Sequence, residues 1–168
     1  MSVQRLGTLL LALLVNGSSG VLADSPPSLP ATNEIRSPNQ TIMVTSSLDK
    51  GTQIVDSVSK QELRSRPDWF RSLFVSNDGD YLVTGSEGMN LSPLDYTDDR
   101  ISLTFWKRGS TLRTVTLKET IPDPSILICT GFHYQWGHIG GINEHGELVV
   151  DRADAEVLYF DLSPGWRK

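Results

Sequence analysis

Cysteine occurs once in the 168 residues, at Cys129, so the chain cannot close an internal disulfide. Ile126-Leu127-Ile128 precede it, and a small buried apolar group is expected there rather than a nucleophile. Basic charge is scarce. Against 20 Asp and Glu stand 15 Lys and Arg, a net charge of −5 without a basic cluster, which argues against a nucleic-acid partner. No uninterrupted apolar run approaches the ~20 residues of a membrane span. Catalytic signatures are also missing: there is no phosphate loop, no dinucleotide fingerprint and no His-Glu-x-x-His. Gly85-Ser86-Glu87-Gly88 is not a nucleophile elbow, because its serine directly follows the glycine. His133, His138 and His145 are five and seven positions apart, which fits no structural zinc spacing. The acids of LDYTDDR (94–100) lack the alternation, glycine and distal glutamate of a calcium loop. No metal and no cofactor are therefore expected.

What is present begins with an export signal. Arg5 gives a positive start, Leu6 to Val15 a short apolar stretch, and Val21-Leu22-Ala23 a cleavage site of small and modest side chains. Residues 1–23 are expected to be a signal peptide and 24–33 a proline-rich leader. A single domain follows over 34–168, in a secreted or periplasmic protein with no membrane span after cleavage. Asn39-Gln40-Thr41 and Asn90-Leu91-Ser92 match the glycosylation pattern, which matters only in a eukaryotic source.

The domain carries a repeat. In WFRSLFVSNDGDYLVT (69–84) and WGHIGGINEHGELVVD (136–151) a tryptophan lies ten positions before a glycine, at Trp69/Gly79 and Trp136/Gly146, and the two tryptophans are expected in equivalent places beside the glycine turns. RSPNQTIMVT (36–45) is a fainter copy, with Gln40 in the place of Gly79. Each copy reads as a β-hairpin. Asn77-Asp78-Gly79 and Glu144-His145-Gly146 supply turns, and runs of Val, Leu, Ile, Tyr and Thr follow. A third strand is expected in each unit, at 52–56, 101–106 and 157–161. The middle unit adds a fourth at 111–117, after a turn at Lys107-Arg108-Gly109-Ser110. Helix signals are few. Ser59-x-x-Glu62 matches a capping box, with Pro67 closing any helix there.

The segment GFHYQWGHIGG (131–141) is dense in aromatics, histidine and glycine. As a strand it sends Phe132, Tyr134 and Trp136 to one face and His133, Gln135 and Gly137 to the other. A half-buried core strand is the reading favoured over a ligand-binding edge.

SNDGDYLVTGSEG, SPNQTIMVTSSLDKGTQIVD and INEHGELVVDRADAEVLYFDLSPG resemble WD-repeat-like propeller blades, in which a turn precedes a Leu-Val-Thr strand. The resemblance covers about 37–117 and 136–165; the Gly-His and Trp-Asp pairs of true WD repeats are absent. The chain also resembles small exported bacterial proteins of no known activity. Propellers close with about 4–8 blades, and three units fall short. The expected fold is therefore all-β, three propeller-blade-like hairpin units forming a compact sandwich, with a partial propeller as the alternative. A sandwich is expected to be monomeric and a partial propeller to pair.

The function expected is that of an exported non-catalytic module binding a protein or glycan partner. Its contact surface is placed on the insertion SEGMNLSPLDYTDDR (86–100), with Asp95, Tyr96, Asp98 and Asp99, and on the face of His133, Gln135 and His138. The alternative is a secreted carboxylate- or metal-assisted hydrolase that uses the histidines or acids such as Glu87, Asp95 and Glu119.

Overall fold

The computed structural model describes residues 32–86 and 91–163. The expected signal peptide, the leader up to Ala31, Glu87, the Asn90 glycosylation site and the residues after Ser163 lie outside them. The fold is all-β, and all its strand pairs are antiparallel. No helix among the described residues is long and apolar enough to cross a membrane.

Three sheets follow the three units. The first is a meander of β1 (Thr32–Arg36), β2 (Ile42–Ser47), β3 (Gly51–Asp56) and β4 (Glu62–Arg66). The second pairs β5 (Leu73–Val75), β6 (Tyr81–Gly85), β8 (Ile101–Lys107) and β9 (Ser110–Thr116), with β7 (Leu91–Pro93) looped out between β6 and β8. The short helix α1 (Leu117–Thr120) ends this unit, held by a Thr116–Glu119 capping box. A small sheet then joins β10 (Ile128–Cys129) and β11 (His133–Gln135) to β7. The last sheet is β12 (Gly137–Ile142), β13 (Glu147–Arg152) and β14 (Val157–Asp161).

The three unit-forming hairpins share one turn construction. The amides of Gln40, Gly79 and Gly146 donate to the carbonyls of Ser37, Ser76 and Asn143 at 2.9, 3.0 and 3.1 Å. All three donors have positive φ, at 64°, 71° and 76°. Ser37 Oγ, Ser76 Oγ and Asn143 Oδ1 accept from the first amides of the returning strands, those of Ile42, Tyr81 and Glu147. The third turn is one residue shorter. Val75 faces Leu82 but Ile142 faces Leu148, so Leu148 matches Leu82 rather than Tyr81. A bulge between Ile139 and Gly141 accompanies this shortening.

The sheets pack in layers with the second in the middle. Leu73, Val75 and Leu82 pack on Ile42, Val44 and Ile54 of the first sheet. From the opposite face, Val83, Leu103, Phe105 and Val115 pack on Ile139, Leu148, Val150 and Phe160 of the last. The first strands lie together, β5 touching both β1 and β12. The outer face of the first sheet is largely polar; on it Gln53 donates to Glu62 and Arg36 pairs with Glu34.

Four expectations are corrected. The segment after Ser59 is strand β4, not helix, because Asp56 Oδ1 takes the amides of Val58 and Ser59 and folds a turn. Cys129 is exposed, since its two-residue strand lies on the rim of the small sheet. Trp69 and Trp136 do not take equivalent places. Trp136 is 1% exposed in the core, whereas Trp69 is half-buried in the connector before β5. Nor is 131–141 one strand: it breaks between β11 and β12, where Gly137 packs so closely that a Cβ would lie 2.2 Å from the Asp151 carbonyl.

Candidate functional site

The insertion and the aromatic segment meet. β7 pairs with β11 in the register His133–Pro93, Tyr134–Ser92 and Gln135–Leu91. Residues 40 or more positions apart in sequence are thus paired in the small sheet. Next to it Tyr96 stands edge-on to Tyr134, ring centres 5.8 Å apart, a favourable aromatic geometry. Burial, reinforced by Asp98 and Tyr134, raises the Tyr96 phenol above its ordinary value, so it stays a neutral donor at neutral pH.

The acidic part of the loop is tied to its surroundings by backbone hydrogen bonds and an ion pair. The amide of Tyr96 donates to the Pro93 carbonyl, and that of Arg100 to Thr97. The amides of Leu117 and Lys118 donate to the carbonyls of Arg100 and Asp98. The Lys118 ammonium also pairs with Asp98 at 2.9 Å, which raises the Lys118 value. Asp95 and Asp99 are exposed beside this anchor. Three apolar groups of these segments also face water: Leu94 and Ile128, each 49% exposed, and Phe132, 65% exposed.

The other candidates are placed as follows. His133 and Gln135 lie half-buried in β11, within the same small sheet. His138 is exposed in β12, opposite Asp151 in another sheet, and His145 lies in the β12–β13 turn. Glu119 is committed to its cap, accepting from the Thr116 amide and hydroxyl at 2.7 and 2.9 Å. Among the described residues no group of three or more His, Cys, Asp and Glu is placed to hold a metal ion.

Sequence reasoning missed a second locus. Between the outer ends of the first two sheets, a cleft of about 240 Å3 is lined by Ile54, Leu82, Trp106 and the arginines 64, 66 and 108. No spacing in the sequence marks it, because Arg108 joins the other two only through sheet packing. Asp80 answers two of these arginines, pairing directly with Arg64 and at 2.8 Å with Arg108. The Arg108 hydrogen bond, then that of Arg64, holds the Asp80 carboxyl below its ordinary value. With the folded value below the unfolded one, the stabilisation is complete above about pH 4. It is lost as the pH falls through Asp80's lowered value. Asp80→Asn is accordingly expected to be less stable than the parent at neutral pH, the gap narrowing in acid. Urea midpoints across that range check this, and a pH-independent gap contradicts it.

No protein-family model matches the chain, and no curated protein matches it in sequence.

Proposed function

We propose that the chain is an exported, non-catalytic domain that binds a partner outside the cytoplasm through the surface built on the small sheet. The partner is a protein or a glycan, and the chemistry favours a protein. The observation that carries this reading is the β7–β11 pairing, which joins the insertion to the aromatic segment. It places the exposed Leu94 and Phe132 beside the paired residues Pro93 and His133, and the loop of Leu94 also carries the exposed Asp95 and Asp99. Apolar groups rimmed by polar ones form the usual anatomy of a protein contact. The rim calls for a partner with basic groups around an apolar centre.

For the scaffold, we read the three main sheets as successive blade-like units. The support is their layered packing and the meeting of β1, β5 and β12, the first strands of each unit. The largely polar outer face of the first sheet supports a monomer in water, since it offers little apolar area to a second copy. A hydrolase finds less support, because Glu119 is spent on a helix cap and the histidines lie on separate elements.

The test is site-specific photo-crosslinking in the native host. A photoreactive side chain at position 132 or 94 is expected to give a discrete adduct, and one at Val58, exposed in the β3–β4 turn, is not. Phe132→Ala combined with Leu94→Ala should weaken binding to the captured protein by about tenfold or more. The secreted chain should begin at Asp24 by intact mass. Equal adducts at 132 and 58 would defeat the reading. So would the absence of adducts together with no retention on any immobilised glycan.

A further inference from the structure

The arginine cleft between the first two sheets plays no part in the proposed partner surface. Its walls are apolar, formed by Ile54, Leu82 and the indole of Trp106, while its rim is cationic. Arg66 lies over Trp106, its guanidinium carbon 3.9 Å from a ring centre, and is 5.2 Å from Phe70. That stack fixes the guanidinium in place, with Asp68 bonded to Nε and Nη2 at 2.9 and 2.7 Å. Its remaining nitrogen, Nη1, is buried and meets no acceptor among the described residues. A guanidinium nitrogen only donates, so what it lacks is an acceptor. Leaving such a group buried and unanswered is costly, and sites that do so ask for an explanation.

Charge points the same way. Three guanidinium groups share two carboxylates, Asp68 and Asp80, in a chain whose net charge is −5. Arg108 is the accessible member, with 69% of its side chain exposed at the tip of the β8–β9 turn. Its fork has room to swing from Asp80 to an incoming anion, and the planar guanidinium takes a carboxylate or phosphate in two parallel bonds. The volume, about 240 Å3, lies below the range of drug-sized sites and admits one ring rather than a chain of them.

The geometry points to a binding site for a small organic anion, a carboxylate or phosphate carried on one flat apolar ring. The anion docks on Arg108 and Arg64, and the ring lies against Leu82 and Trp106. Such a ligand closes the gap between β4 and the β8–β9 turn.

The test is a proton–nitrogen NMR titration of the secreted chain with benzoate and with phenyl phosphate. Benzyl alcohol and inorganic phosphate are titrated in parallel. The Trp106 indole, the Gly109 amide and the Nε–H groups of Arg66 and Arg108 are expected to shift and saturate with one or both aromatic anions. The tighter of the two identifies the carboxylate or the phosphate as the preferred group. Arg108→Asn, which keeps a residue tolerant of positive φ at this turn (φ 50°), should weaken binding at least fivefold. Arg64→Gln should do the same. Lys118→Gln, the same charge change outside the cleft, should leave affinity unaltered. Failure of both aromatic anions to saturate overturns the proposal. So does equal binding of benzyl alcohol, equal binding of inorganic phosphate, or unchanged affinity in both arginine variants.

Discussion

Trp136→Ala is expected to destabilise the domain by about 3–5 kcal/mol, the usual cost of truncating a large buried aromatic. The indole is 1% exposed and heads the fully buried side chains by volume. It sits in the core that joins the second and last sheets, with Phe105, Leu148, Val150 and Phe160 in the same cluster. Beside it, β12 is held close to β13, where Gly137 packs against the Asp151 carbonyl. Domains of this size have about 5–15 kcal/mol in all, so the variant sits near its unfolding threshold. With a urea slope of about 1–3 kcal/mol/M, its midpoint should fall by more than 1 M relative to the parent. Phe132→Ala serves as the contrast, because that ring is 65% exposed. Similar midpoints for the two variants would show that Trp136 does not anchor the core.

Gly51→Ala is expected to be strongly destabilising as well. Gly51 has φ 70°, and a Cβ there would lie 2.2 Å from the Arg66 carbonyl oxygen and 2.7 Å from the Pro67 carbonyl carbon. Both obstacles are backbone, so the end of β4 must move. Moving it opens the Thr52–Arg66 pair and the 2.7 Å bond from Thr52 Oγ1 to the Asp68 carbonyl. Gly146→Ala separates the two costs. It has φ 76° but nothing within 4 Å of the added carbon, so it should lose only the roughly 1–2 kcal/mol of a left-handed residue with a Cβ. Gly51→Ala should exceed that by about 1–3 kcal/mol, the range of an overpacked site. Its amide shifts should concentrate in residues 62–70. Equal midpoint losses in the two variants would contradict the close-approach account.

The turns were the most legible part of the sequence because their requirements are local. Asn77-Asp78-Gly79 and Glu144-His145-Gly146 end in glycines at positive φ, and Arg108-Gly109 takes positive φ at both positions, as a tight two-residue hairpin demands. Strand β4 was illegible for the same reason that it looked helical. Ser59 suits a helix cap, yet Asp56, three residues earlier, engages it in a turn, and Lys60 follows at φ 60°. The small sheet had no local signal, since β7 and β11 come from segments far apart in the chain. Of the proposed contact surface, the members were visible as an insertion and an aromatic run, but their adjacency was not. Cys129 shows the limit of neighbour-based reasoning: Ile126 and Leu127 are half-buried, while Ile128 and the thiol emerge at the sheet rim.

The double-sided packing of the middle sheet has a consequence for how β6 finds its place. In an ordinary half-buried strand a slip of one residue turns the apolar set to water, and that penalty sets the alignment. Here Leu82 enters one core and its neighbour Val83 the other, and Thr84 is buried as well. Polarity alone barely distinguishes the correct alignment from its neighbours. The choice falls to the turn before the strand, where Ser76 holds both the amide and the carbonyl of Tyr81. A serine at a loop thereby decides which side chain goes to which core, a sorting role that its small size and its position outside the strands would not suggest.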